Sequence, residues 1–238
     1  MDKRKVAAVM GVGPGLGAAV ARRFGREGYA VALMARGEDK LRPVQEQIES
    51  AGGVALALPT DATDAASVTA AFARARQELG DIEVLVYNAG AFKIAGILDI
   101  APEELESTWK ANCFGAFLAA QQVLPAMVAQ RRGTVLLTGA TAALRGSARF
   151  ACLAVGKFGL RALAQCIARE FGPQGIHVAH VVVDGQIDTP WLRAMQPGRE
   201  LVTLLEPDAM AESYWHLHVQ HPTAWTLELD LRPAVEKF

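Results

Sequence analysis

The chain has 238 residues, 51% hydrophobic and 21% charged, with a formal net charge of −1. That is enough apolar side chain for one large core and too little charge for disorder, and the near-zero balance offers no general attraction to nucleic acid or to an acidic membrane surface. Cys113, Cys152 and Cys166 are odd in number and lack metal-ligand spacing, which fits a reducing cytoplasm better than a disulfide framework.

Asp2-Lys3-Arg4-Lys5 precedes an apolar run too short for a signal peptide, and no later run reaches the ~18 residues of a membrane span. A cytoplasmic protein with no membrane partner is expected. Along the chain, short apolar runs, most of them unbroken, predict strands at Val6–Met10, Val31–Ala35, Val54–Leu58, Val84–Tyr87, Val135–Thr138, Val178–Val183 and Thr226–Leu231. Such runs, without in/out alternation, are the pattern of parallel strands covered on both faces. Helices are predicted at Asp64–Leu79 with Gly80 as its stop, through Asn112–Arg131 with Gly133 as its stop, at Leu153–Phe171 before Gly172-Pro173, and from near Pro207. Strand–helix alternation without repeats or linkers predicts one domain over 1–238, an α/β doubly wound sheet of about seven mainly parallel strands with helices on both faces.

The first strand runs into Gly11-Val12-Gly13-Pro14-Gly15-Leu16-Gly17 and then a helix. Glycine permits the turn and lets backbone approach a pyrophosphate, while the helix start presents free N–H groups and a positive dipole end. Gly11, Gly13, Gly15, Leu16 and Gly17 are therefore the expected phosphate contacts; a tight βα turn without ligand is the alternative. At the end of the second strand an acid would bind a ribose 2′-hydroxyl. Here Ala35 is followed by Arg36, whose guanidinium can pair with a 2′-phosphate. NADP is favoured over NAD, unless Arg36 is simply a solvated loop charge.

Further motifs follow in order: Thr60-Asp61-Ala62, Tyr87-Asn88-Ala89-Gly90, Asn112 before Gly115-Ala116-Phe117, Leu124-Pro125-Ala126-Met127, Arg131-Arg132-Gly133-Thr134, and Phe150-Ala151-Cys152-Leu153-Ala154-Val155-Gly156-Lys157. In sequence and separation they resemble the short-chain dehydrogenase/reductase family over nearly the whole chain. The resemblance implies a Rossmann-like fold and carbonyl–alcohol redox chemistry with a nicotinamide cofactor. Asp61 and Ala62 would hold the adenine, Asn88, Ala89 and Gly90 would line the nucleotide, and Lys157 would bind the nicotinamide ribose. Asn112 would serve as the structural and proton-relay asparagine. Ile187 and Thr189, in Asp184-Gly185-Gln186-Ile187-Asp188-Thr189-Pro190, would meet the nicotinamide and phosphate side. The family's helices around Asn112 and Lys157 pair with symmetry mates, so Ala116, Phe117, Ala120, Phe158, Leu160 and Leu163 predict a homodimer or homotetramer.

The departures lie where the family does its chemistry. Leu153 occupies the tyrosine position, and counting back by the family spacing puts Ala140 at the serine. Asn112 and Lys157 remain as the catalytic candidates. Three readings stay open: an NADP(H)-binding relative with impaired or non-standard chemistry, an active oxidoreductase using water, Thr141, Cys152 or Asp184 as proton source, and a nucleotide-free interaction protein. General acid–base help contributes typically ~10²–10⁴-fold, so its loss need not abolish hydride transfer. Trp191, Leu192, Met195, Leu201, Leu204 and Leu205 would make a covering loop apolar, or would pack into the core or an interface; a small apolar carbonyl or alcohol is the expected substrate. His216, His218 and His221 do not share a helix face, and no metal site is expected.

Overall fold

The computed structural model describes residues 5–236, so the Asp2-Lys3-Arg4 segment lies outside the described residues. The chain alternates β1 (Val6–Met10), α1 (Leu16–Arg26), β2 (Ala30–Ala35), α2 (Glu38–Ser50), β3 (Val54–Pro59), α3 (Ala65–Glu78) and β4 (Ile82–Tyr87). It continues with α4 (Pro102–Trp109), a π-helical turn at Lys110–Phe114, α5 (Gly115–Gln130), β5 (Gly133–Thr138), α6 (Ala151–Phe171) and β6 (Ile176–Val183). The remainder is β7 (Gln186–Ile187), α7 (Pro190–Met195), β8 (Leu204–Leu205), α8 (Pro207–His218) and β9 (Glu228–Leu231).

Seven strands form one sheet in the order β3-β2-β1-β4-β5-β6-β9, while β7 and β8 pair separately. Every pairing in the large sheet is parallel. The strand period of two divides the core. Val6, Ala8 and Met10 of β1 join Phe72, Ala119 and Leu160 from α3, α5 and α6. Ala7 and Val9 face the other way, toward Phe24, Leu41 and Tyr214 from α1, α2 and α8. Both faces are thus dry, which is why the strands read as unbroken apolar runs.

Three expectations change. The long helix ends at Gln130, and Arg131 takes the left-handed position at φ 49°, so Gly133 is the first residue of β5 and not a helix stop. Two helical stretches, Pro102–Gln130 and Ala151–Gln174, are long and apolar enough to cross a membrane by composition; part of their apolar surface, including Ala116, Ala119, Leu160 and Ala164, packs into the core beside the sheet. Among the residues expected to form a subunit contact, Ala116, Ala120 and Leu160 are buried in the chain's own core, while Phe117 and Phe158 are exposed. Periodicity identified an apolar face but did not say whose core it joins.

Gly11 sets the spacing between β1 and β4. It has φ +94°, and a Cβ there would lie 2.3 Å from the Ala89 nitrogen, whereas a Cβ on Gly13 would meet nothing within 4 Å. Gly11→Ala should therefore lower stability by at least about 2 kcal/mol, while Gly13→Ala should stay within about 0.5 kcal/mol of wild type. Thermal midpoints of the two nucleotide-free variants test this, and equal shifts would refute it.

Candidate functional site

The carboxyl ends of β1, β4, β5 and β6 converge on a crevice between the glycine loop and the loops after β4 and β6. At the glycine loop, Asn88 Nδ2 donates to the Gly11 carbonyl at 2.9 Å. The Gly11 nitrogen bonds the Met34 carbonyl at 2.8 Å. A Cβ on Gly17 would lie 2.3 Å from the Gly11 oxygen, and one on Gly15 would lie 2.8 Å from the Thr189 methyl. Gly11, Gly15 and Gly17 are thus packed against protein, and Gly13 opens on space. Leu16 and Gly17, at the start of α1, are buried beneath the loop.

Beside this loop is a cleft of about 400 Å³ whose walls include Gly13, Arg36, Lys40, Asp61, Ala62 and Asn88. Arg36 is exposed at the end of β2, and Asp61 is exposed across from it. The Asp61 carboxylate accepts from the Thr63 backbone N–H at 2.9 Å and from the Thr63 hydroxyl at 2.8 Å. Those two bonds, with the nearby Arg36 charge, hold its carboxyl below the ordinary range. Lys40, one turn into α2, was missed by sequence reasoning. Its signal was weak, because Arg36 lies before α2 and no helical spacing links the two cations.

Asn112 sits in the π-helical turn, fully buried. A π turn interrupts the regular hydrogen-bond ladder; here the Ala111 carbonyl accepts from the Tyr87 hydroxyl at 2.7 Å. Gly115 makes this possible, since a Cβ there would lie 2.3 Å from that hydroxyl. Asn112 Nδ2 donates to the carbonyls of Ala91, at 2.6 Å, and Thr108, at 2.8 Å, tying the loop after β4 to the helix. Its Oδ1 is buried without a partner among the described residues. Gly156 lets α6 press against the Asn112 side chain, where a Cβ would approach to 2.6 Å. The same contact carries Lys157 into the site. Its Nζ is buried, donates to the Thr138 carbonyl at 2.7 Å, and lies near the Cβ-free face of Gly90, as does Asn112 Oδ1.

Ala89, Gly90, Ile187 and Thr189 therefore stand around the same crevice as Asn112 and Lys157. Leu153, on α6 one turn before Lys157, is half-buried, and Ala140 stands two residues past the end of β5. Neither side chain has a proton to exchange. Thr141 and Asp184, separate in sequence, are joined: the Thr141 hydroxyl donates to Asp184 Oδ1, and Arg232 Nη2 pairs with Asp184 Oδ2 at 3.1 Å. Beneath them, a Cβ on Gly139 would lie 2.2 Å from His180 Nε2. His180 Nδ1 in turn meets Glu228, itself held by two bonds from Arg161. The covering segment divides: Leu192, Leu204 and Leu205 are buried, and Trp191, Met195 and Leu201 are exposed.

The late histidines have other partners. His218 meets the Tyr29 hydroxyl at 2.7 Å and the Thr134 hydroxyl at 2.9 Å, at the opposite end of the sheet, among the rings of Phe24 and Trp215. Burial, with a contribution from Lys5, pushes its pKa down to about 4. His221 caps the short turn at Pro222–Ala224.

Burial pushes the Lys157 ammonium down from 10.5 to about 8. Between those values the unfolded chain binds a proton that the folded one does not, so stability rises with pH through that window. In Lys157→Met this contribution disappears. The stability of wild type relative to the variant should grow, from below pH 8 to pH 10.5, by on the order of 3 kcal/mol. Urea unfolding of the nucleotide-free proteins at several pH values measures it; parallel pH curves would contradict the buried cation.

The sequence pattern of the family described as short chain dehydrogenase matches residues 5–200. Glycine betaine reductase ATRR from Emericella nidulans is 31% identical over 209 residues, which are 88% of this chain and 15% of that protein. A short-chain dehydrogenase from Rhodopseudomonas palustris superposes with TM-score 0.83 at 36% identity, covering 96% of this chain and 98% of that one. A metagenomic short-chain oxidoreductase solved with NADP gives TM-score 0.85 at 29% identity, covering 98% of each chain. With a parallel sheet, glycine loop and buried Asn112–Lys157 pair in the same order, the chain belongs to the short-chain dehydrogenase family.

Proposed function

We propose that the protein binds NADP(H) in this crevice and that its redox chemistry is non-standard, because Leu153 and Ala140 replace the family's tyrosine and serine. The observation that carries this reading is the contrast between an intact cradle and two inert side chains beside it. A bound nicotinamide nucleotide supplies or takes up a hydride. Gly11, Gly13, Gly15, Leu16 and Gly17 surround its pyrophosphate, and the open face of Gly13 gives the phosphate room. Asp61 and Ala62 flank the adenine, Asn88, Ala89 and Gly90 line the middle, and Ile187 and Thr189 close the nicotinamide side. Lys157 binds the ribose with protons left over from its bond to Thr138. Asn112 keeps an unpartnered oxygen for water or ligand.

The preference for the 2′-phosphate rests on Ala35, Arg36 and Lys40, and the metagenomic relative solved with NADP supports it. NADPH should bind more tightly than NADH, and Arg36→Ala should reduce that preference by about tenfold, the scale of one charge-assisted hydrogen bond. Calorimetry with both nucleotides decides, and equal affinities in wild type would remove the assignment.

Unpaired cysteines support a cytoplasmic setting. The exposed Phe117, Val155 and Phe158 with Trp109, on the α4–α6 side, support pairing with a second copy through that face. The chemical part of the proposal has its own test. Leu153→Tyr with Ala140→Ser should raise NADPH-dependent carbonyl reduction by about 10²–10⁴-fold. A double variant that folds, binds NADPH and gains nothing over a broad carbonyl panel would show that the missing hydroxyl groups are not what limits the site.

A further inference from the structure

Thr141 and Asp184 leave the sheet side by side, because β5 and β6 are paired in parallel with Thr138 opposite Val181. Asp184 is 9% exposed and is fixed at three points: its nitrogen bonds the Leu231 carbonyl at 2.8 Å, Arg232 holds Oδ2, and Thr141 donates to Oδ1. A threonine hydroxyl has one proton and two lone pairs. With its proton committed to Asp184, Thr141 has only lone pairs left for a further partner.

Ala140, Leu153 and Asn112 have the same bias, while the remaining protons of Lys157 go to the ribose in the reading above. Ala140 and Leu153 have no polar side-chain atom. Both Nδ2 protons of Asn112 go to backbone carbonyls, which fixes the amide orientation and leaves Oδ1 as a buried acceptor. A carbonyl compound brings only acceptor lone pairs, so its oxygen beside Thr141 would face another oxygen with no proton between them. An alcohol brings a proton. Phe92, Ile94 and Leu144, on the loops after β4 and β5, and Trp191 and Met195, on α7, are exposed apolar side chains available to the rest of such a ligand.

We infer that Thr141 and Asp184 form a hydrogen-bond-accepting subsite, through which the site binds an apolar alcohol in preference to the carbonyl compound of the same skeleton. This rests on the NADP(H) reading above, and concerns ligand binding, whatever the rate of turnover. Thr141 touches the ligand, while Asp184 acts through it as a positioning residue.

The experiment titrates matched pairs, cyclohexanol with cyclohexanone and menthol with menthone, onto the full chain. The protein is saturated with a tetrahydronicotinamide NADP analogue that cannot transfer hydride, and affinity is read by calorimetry and ligand-observed NMR. Wild type should prefer the alcohol of each pair by about tenfold, the upper end of what one neutral hydrogen bond contributes. Thr141→Val should erase the preference and Thr141→Ser should keep it. Asp184→Asn should invert it: Arg232 requires the amide oxygen on its side, so the amide nitrogen faces Thr141 and frees the threonine proton for a carbonyl.

Equal affinity for alcohol and ketone in wild type overturns the subsite, as does a preference unchanged in Thr141→Val and Asp184→Asn, or no binding of any probe at millimolar concentration. Failure of the nucleotide analogue to bind overturns the NADP(H) reading instead. The same pairs titrated onto the nucleotide-free protein then decide the subsite by the same outcomes.

Discussion

The crevice depends on how closely two backbones approach. β1 and β4 are neighbours at the point where strand order reverses, which is where open α/β sheets bind ligands. Their chains touch through Gly11, whose Cα faces the backbone of Asn88 and Ala89 with no room for a methyl group. The Asn88 side chain seals the contact by donating to the Gly11 carbonyl. Further along the same loop, Ala91 accepts from Asn112, and Asn112 abuts Gly156 on α6. A continuous path of contacts, made by backbone and by the Asn88 and Asn112 amides, thus runs from the glycine loop to α6 and Lys157.

That path does not pass through the side chains at positions 140 and 153, so the glycine loop holds its place whatever stands there. Holding a dinucleotide draws on glycine, backbone N–H groups and a helix start, which depend on the fold as a whole. Proton exchange draws on single side chains at two positions, and Leu153 and Ala140 occupy them without disturbing α6 or β5. Lys157 is the exception, a cation buried at 6% exposure whose hydrogen bond is to a carbonyl and not to a carboxylate. Such a group opposes folding of the empty protein.

Much of this was legible in the residues. The first six strands of the large sheet were readable because burial removes in/out alternation, β9 in spite of its alternating Glu-Leu-Asp-Leu, and the glycine loop because its spacing sits between a strand and a helix. The π turn was not, since Lys110–Phe114 has no distinct composition; what selects it is the Tyr87 hydroxyl reaching across from β4 to the Ala111 carbonyl. The Thr141–Asp184 bond was equally hidden, because the two residues are 43 apart in sequence and meet only when β5 and β6 pair. Ala116, Ala120 and Leu160 were assigned to the wrong surface for a related reason: periodicity gives a helix's apolar face, while its direction is set by the sheet. Gly133 read as a helix stop, yet Arg131 itself adopts the left-handed conformation two residues earlier.

The far end of the sheet has a different sensitivity. His218 bridges Tyr29 and Thr134 while packed among aromatic rings, and is held neutral there with a pKa of about 4 against 6.5 for an ordinary histidine. As pH falls from 6.5 toward 4, the unfolded chain takes up a proton that the folded one refuses, and the stability of the neutral imidazole is lost through that interval. Mild acid therefore acts on the end of the sheet remote from the glycine loop, where α8 is fastened to Tyr29, just before β2, and to β5. That acidity would bear on the packing of α8 before it changed the charge of Asp61 in the cleft, which stays ionised below the ordinary carboxylate range.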